Sequence, residues 1–276
     1  MKYFTVIFGL FFTQFTQAQT ASLEKLWESK EQLPVPESVL YIEHSKQLYV
    51  SLIDGVANEK DKKGGIAILN LDGSIKKAAW VSGLNAPKGM AIYKGILYVA
   101  DLDVVHGIDT TTGKIVETVT VPKAVFLNDL AIDSKGIIYV SDTRTNKIHR
   151  IKNKKSEIYL ENITSPNGLK FIDNTLYVLA GQQLLKLGND QEKSHTVIAD
   201  GLEASGDGLE PDGNGNFIVT CWEGIIYHIT KDGVKQKLLD VREDMNTADI
   251  GYDQKNSVLY VPTFNSNSVI AYKLHL

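Results

Sequence analysis

Six short apolar runs of strand length recur along the chain. They are Gln47-Leu48-Tyr49-Val50, Ile96-Leu97-Tyr98-Val99, Ile137-Ile138-Tyr139-Val140, Thr175-Leu176-Tyr177-Val178, Asn216-Phe217-Ile218-Val219 and Val258-Leu259-Tyr260-Val261. Near-continuous apolar runs of this length mark strands covered on both faces. A similar lead precedes each one: Pro36-Glu37-Ser38-Val39, Pro87-Lys88-Gly89-Met90, Leu127-Asn128-Asp129-Leu130, Pro166-Asn167-Gly168-Leu169, Gly206-Asp207-Gly208-Leu209 and Ala248-Asp249-Ile250-Gly251. Copies follow one another at about forty residues, with a longer first step. Turn pairs such as Asp72-Gly73, Thr112-Gly113 and Asp232-Gly233 separate the strands within a copy. Each copy therefore reads as four short strands, and six copies predict an all-β, six-bladed β-propeller of four-stranded blades over residues 19–276. A solenoid fits less well, because its units are shorter or helical and one strand here needs a closing partner.

That partner is legible too. After Val261 the last copy supplies one more strand, Ser268 to Lys273, and lacks an outermost one. Ser22 to Ser29, ahead of the first copy, resembles outer strands such as Ser156 to Glu161. The N-terminal strand is thus expected to pair into blade six and close the ring, which removes two exposed sheet edges.

The first residues depart from the repeat. Met1-Lys2 is a basic start, Tyr3 to Phe15 is an apolar run short of a bilayer span, and Thr16-Gln17-Ala18 offers small residues for cleavage. This is the pattern of a signal peptide over residues 1–18, cut after Ala18 or Gln19. No Cys follows the run, which excludes a lipoprotein anchor, so a periplasmic or secreted protein is expected. Cys221 is the only cysteine of the 276 residues, so no internal disulfide can form. The net charge of −4 comes without a basic stripe and speaks against nucleic acid as a partner. No later apolar stretch is long enough for a membrane span, and a monomer is expected.

In a propeller the innermost strands start at one face of the central channel. The second position of each lead should therefore converge there: Glu37, Lys88, Asn128, Asn167, Asp207 and Asp249. Carboxylates and amides meeting at one point form a hard-cation site of the kind Ca²⁺ accepts. Carboxylates gathered this closely need a cation or protons. Asn and Asp are also turn residues that need no ligand, but Glu37 is not a turn former.

On the order Glu37 (in PESVLY), Asn128 (in FLNDLAID), Asn167 (in SPNGLKF) and Asp207 (in SGDGLEPDGNG), the chain resembles the senescence-marker/gluconolactonase family, which includes regucalcin-like propellers. The resemblance spans the mature chain. It implies that these four residues hold Ca²⁺ or another divalent cation at the channel mouth. It further implies hydrolysis of a small-molecule ester or lactone, with Asp207 as base or nucleophile. The sugar-lactone branch carries an Arg two residues before the blade-three Asn; Phe126 stands there in this chain, which puts a polyhydroxylated lactone in question. The Pro-x-Gly-apolar pattern is shared with NHL-repeat propellers, so the alternative is a non-catalytic propeller binding a ligand or protein over the same face.

The candidate substrate contacts are Lys88, Arg144, Trp222 and Asp249. Lys88 either receives a substrate carboxylate or phosphate or pairs with Asp249 or Glu37. Arg144 either clamps an anion or is a solvated turn residue, and Trp222 either walls a pocket or packs between blades. The six His form no spaced metal motif, and no Gly-x-Ser-x-Gly elbow supports a serine nucleophile.

Overall fold

Each apolar run becomes the second strand of a four-stranded antiparallel sheet. In blade three this strand, Ile138–Asp142, is buried at every position, whereas the fourth, Lys155–Glu161, is largely exposed. The computed structural model describes residues 20–30, 32–188 and 194–276, and the expected signal peptide over 1–18 lies outside them. The described residues form six four-stranded sheets. Their innermost strands are Pro36–Ile42, Pro87–Tyr93, Leu127–Ile132, Pro166–Ile172, Gly206–Pro211 and Gly251–Asp253.

The sheets pack face against face, and a separate apolar cluster fills each blade-to-blade interface. Leu48 and Val50 of blade one meet Tyr260 and Ala271 of blade six. Tyr49 and Ile66 of blade one meet Leu97 and Val99 of blade two. The remaining four interfaces repeat the arrangement. Such a core is a ring around a channel, which leaves the channel free for polar groups.

Ring closure takes the expected form. Ser22–Glu28 runs antiparallel to Val269–His275, from the pair Ser22 and His275 to the pair Glu28 and Ile270. Trp27 then packs on Tyr260 with ring centroids 5.9 Å apart. Among the described residues no helix is long and apolar enough to cross a membrane.

A bulge recurs where the innermost strand begins. Pairing with the second strand breaks between Pro36 and Ser38, Pro87 and Met90, Leu127 and Leu130, Pro166 and Leu169, and Gly206 and Leu209. A bulge re-aims a side chain away from the ladder. Here it frees Glu37, Lys88, Asn128, Asn167 and Asp207 to face the channel mouth. The third position lies where neighbouring strands nearly touch: a Cβ on Gly168 would collide with the backbone carbonyl of Asp207.

Blade six corrects the register read from the sequence. Gly251 pairs with Tyr260, as Glu210 pairs with Ile218 and Lys170 with Tyr177. Counting back, Ala248 stands level with Asp207, and Asp249 stands level with Gly208, one step further down the channel. The reason is the lead itself, in which Thr247 takes the place of Gly206 and Ala248 begins no copy. Blade six adds no polar group to the mouth column.

Candidate functional site

A cavity of about 240 Å³ opens at the mouth and is lined by Glu37, Lys88, Asn128, Asn167 and Asp207, with Ala57, Phe126, Trp222 and Phe264 as apolar walls. Five column positions thus meet in one space. Asn167 Nδ2 donates to Asp207 Oδ1 at 2.9 Å. Asn128 Nδ2 donates to Thr143 Oγ1 at 3.2 Å, and that hydroxyl donates to Pro166 O at 2.8 Å. Two buried acceptors, Glu37 Oε2 and Asn167 Oδ1, have no hydrogen-bond partner. A buried polar atom left unpaired is costly and calls for an explanation.

Burial pushes the carboxyls of Glu37 and Asp207 well above the usual carboxylate range. Asp207 adds to the rise at Glu37, which Lys88 opposes, and Asp249 adds to the rise at Asp207. Among the described residues no group of three or more His, Cys, Asp and Glu side chains gathers as a metal site. The mouth set is instead two carboxyls and two amides. Their unpaired buried oxygens fit an oxygen-seeking cation: Glu37, Asn128, Asn167 and Asp207 are the groups able to hold it.

Lys88 is 1% exposed and pairs with neither of its expected carboxylates. Its Nζ donates to Ala86 O at 2.9 Å and Ala57 O at 3.1 Å, and lies 4.4 Å from the centroid of the Phe126 ring. The Ala57 carbonyl comes from the long blade-one loop, whose position the local sequence did not disclose. Burial pushes the Lys88 ammonium down to about 8, with Glu37 and Asp101 opposing. Arg144 is exposed at the rim, its Cζ 4.3 Å from the same Phe126 centroid. Trp222, 38% exposed, meets Phe264 edge to face at 5.5 Å.

Asp249 lies apart from this pocket. Its carboxylate accepts from Ser38 Oγ at 2.5 Å. It lines a second cavity of about 230 Å³, further along the channel, with Asp129, Lys170 and Glu210. Burial pushes its carboxyl up to about 7.

Of the pocket walls, Phe126 carried a signal in its place two residues before the blade-three Asn, and Phe264 carried none. Phe264 has φ of 48°, a left-handed conformation rare for a bulky residue and typical of strained functional sites. Phe126 is held by Asp142, a fully buried carboxylate that accepts from the backbone N–H of Phe126 at 3.0 Å and of Val125 at 3.1 Å. Asp101 holds Asn85 and Ala86 ahead of Lys88 in the same manner.

Burial raises the Asp142 carboxyl, but the His149 ring 3.7 Å away and these N–H groups more than offset it and hold it below the usual range. A depressed carboxyl stabilises the fold above its unfolded value of about 4 and loses that contribution as pH falls through the folded value. Asp142→Asn puts an amide donor among donors and is expected to cost about 3 kcal/mol at neutral pH. The gap to the wild type should narrow in acid, where the wild type loses the same contribution. Denaturant unfolding at neutral and acidic pH checks this; an unchanged midpoint at neutral pH would refute it.

No protein-family model matches the chain, and no curated protein matches it in sequence. Its fold recurs in solved structures. One described as a streptogramin B lyase has a TM-score of 0.68 and 15% identity, over 92% of this chain and 98% of that one. A putative gluconolactonase has a TM-score of 0.68 and 13% identity, over 92% of each chain. A gluconolactonase from Xanthomonas campestris has a TM-score of 0.65 and 15% identity, over 92% of this chain and 90% of that one. Likenesses at identities this low show a shared fold alone; the chemistry has to be argued from the site.

Proposed function

We propose that the chain is an exported, metal-dependent hydrolase of the lactonase or esterase type, with its site at the channel mouth. The observation that carries the reading is the pair of buried, unpartnered oxygens, Glu37 Oε2 and Asn167 Oδ1, facing one cavity beside Asn128 and Asp207. An oxygen-seeking cation would satisfy both acceptors at once together with the neighbouring carboxyl and amide oxygens. Export rests on the basic and apolar pattern of residues 1–18.

Ca²⁺, or another divalent cation of similar preference, would supply Lewis acidity toward a carbonyl oxygen. The chain's own groups supply the rest. Glu37, Asn128, Asn167 and Asp207 hold the site. Asn167 fixes the Asp207 carboxylate through its amide N–H, leaving the other carboxylate oxygen to work. Asp207 takes a proton from water as the water oxygen joins the lactone carbonyl carbon, and returns it to the ring oxygen as the C–O bond breaks. Phe126, Trp222 and Phe264 exclude bulk water and favour an apolar acyl or aryl body over a polyhydroxylated one.

The test joins cation binding with turnover. Calorimetry should detect Ca²⁺ binding that Glu37→Gln weakens at least about tenfold. Aryl and alkyl lactones should be hydrolysed with a kcat/KM that falls about 100-fold or more in Asp207→Asn. A chain that binds no divalent cation and turns over no lactone or ester would be the non-catalytic propeller instead.

A further inference from the structure

We propose that Lys88 is the recognition group for a carboxylate on the ligand, assisted at the rim by Arg144, so that the mouth takes small monoanionic molecules with an apolar body. This deepens the hydrolase reading and rests on it for the bond that reacts, though not for the anion site.

An ammonium has three N–H donors. Two of those of Lys88 are taken by the carbonyls of Ala86 and Ala57, and no carboxylate lies within ion-pair distance among the described residues. No polar side chain or carbonyl among the described residues takes the third donor, and Lys88 lines the cavity at the mouth. Burying an ammonium without a counter-ion is costly, and an apolar side chain could fill the same volume without that cost. The two carbonyls and the Phe126 face compensate in part and hold the head group in place rather than neutralise it. Arg144 over the same ring adds a second cation at the entrance.

The ring sets the direction of binding. Blade two lies opposite blade five in a six-bladed propeller, so Lys88 faces Asp207 across the channel. A ligand whose acid end reaches Lys88 therefore lays its other end over Asp207, with its apolar body against Phe126, Trp222 and Phe264. One free donor matches a carboxylate. A phosphate dianion would meet Glu37 and Asp207 as like charges in the same small space.

Calorimetry with excess Ca²⁺ at neutral pH, using phenylpropionate, phenylpropionamide and phenylethyl phosphate, tests the proposal. The wild type should prefer the carboxylate to the amide by about tenfold or more, the size of one charge-assisted hydrogen bond. Lys88→Met should abolish the preference. Lys88→Gln, a polar but uncharged replacement, should abolish it as well, and a melting temperature near that of the wild type in this variant guards against a folding defect. Lys88→Arg should keep it, and Arg144→Gln should reduce it by about threefold. Equal affinity for carboxylate and amide, tighter binding of the phosphate, or no binding of any probe would overturn the proposal. So would a preference that survives in Lys88→Gln, since the carboxylate would then be held by the bound cation. Turnover without carboxylate preference would sink the anion site alone; preference without turnover would sink the hydrolase reading alone.

Discussion

A chain beginning at residue 31 is expected to melt about 10–15 °C below one beginning at residue 20. The missing segment carries the strand Ser22–Glu28, the fourth strand of blade six. Its loss removes a ladder of backbone hydrogen bonds and the packing of Leu23 and Trp27, together worth about 4 kcal/mol after the entropy of ordering is set against them. It also uncovers Val269–His275, an edge containing Ile270, Tyr272 and Leu274, all nearly fully buried in the closed ring. Such an apolar edge pairs readily with a second chain. The shortened protein should therefore elute partly as oligomer in size-exclusion chromatography as well as melt early. Equal melting and a clean monomer in both chains would mean that the ring holds without its N-terminal strand.

The fold was legible because the repeat writes the same physical demand six times. Leu-Tyr-Val runs need cover on both faces, and the leads before them need a tight, polar turn at the axis. The column positions Glu37, Lys88, Asn128, Asn167 and Asp207 followed from that repeat, and they meet at the mouth. Asp249 misled because Ala248-Asp249-Ile250-Gly251 looks like a lead when read alone. Only the pairing of Gly251 with Tyr260 shows that the polar residue has slipped one place. The partners of Lys88 were illegible for a different reason: one of its acceptors, Ala57, belongs to a loop 31 residues away whose path no local pattern predicts. Phe264 joins the pocket through a left-handed backbone that its residue type disfavours, and a preference broken at one position leaves no trace in composition.

The slip of Asp249 also explains the lower channel, where a second large effect is expected. Asp129, Asp249 and Glu210 line one cavity there with a single ammonium, that of Lys170, whose Nζ lies 2.6 Å from Glu210 Oε1. Burial lowers the Lys170 ammonium, but Glu210, Asp249 and Asp129 outweigh it and leave the group more basic than usual. Burial raises the Glu210 carboxyl even with Lys170 beside it. Removing the ammonium leaves a buried carboxylate without its counter-ion, which typically costs about 3–5 kcal/mol; the 32% exposure of the Lys170 side chain screens the pair and reduces that to about 2–3 kcal/mol for Lys170→Met. The sign of the pH dependence follows. In the variant the Glu210 carboxyl rises further, so the defect is small below the unfolded value of about 4.3 and grows as pH climbs toward the folded one. Denaturant unfolding across this range should show the two proteins nearest in acid and furthest apart near neutrality. Glu210→Leu combined with Lys170→Met removes both charges, and the pair should recover most of the loss, because apolar groups of similar size replace a buried ion pair at little cost. A double variant no more stable than Lys170→Met would mean that Lys170 serves Asp249 and Asp129 rather than Glu210, and that the lower channel carries its charge as one network.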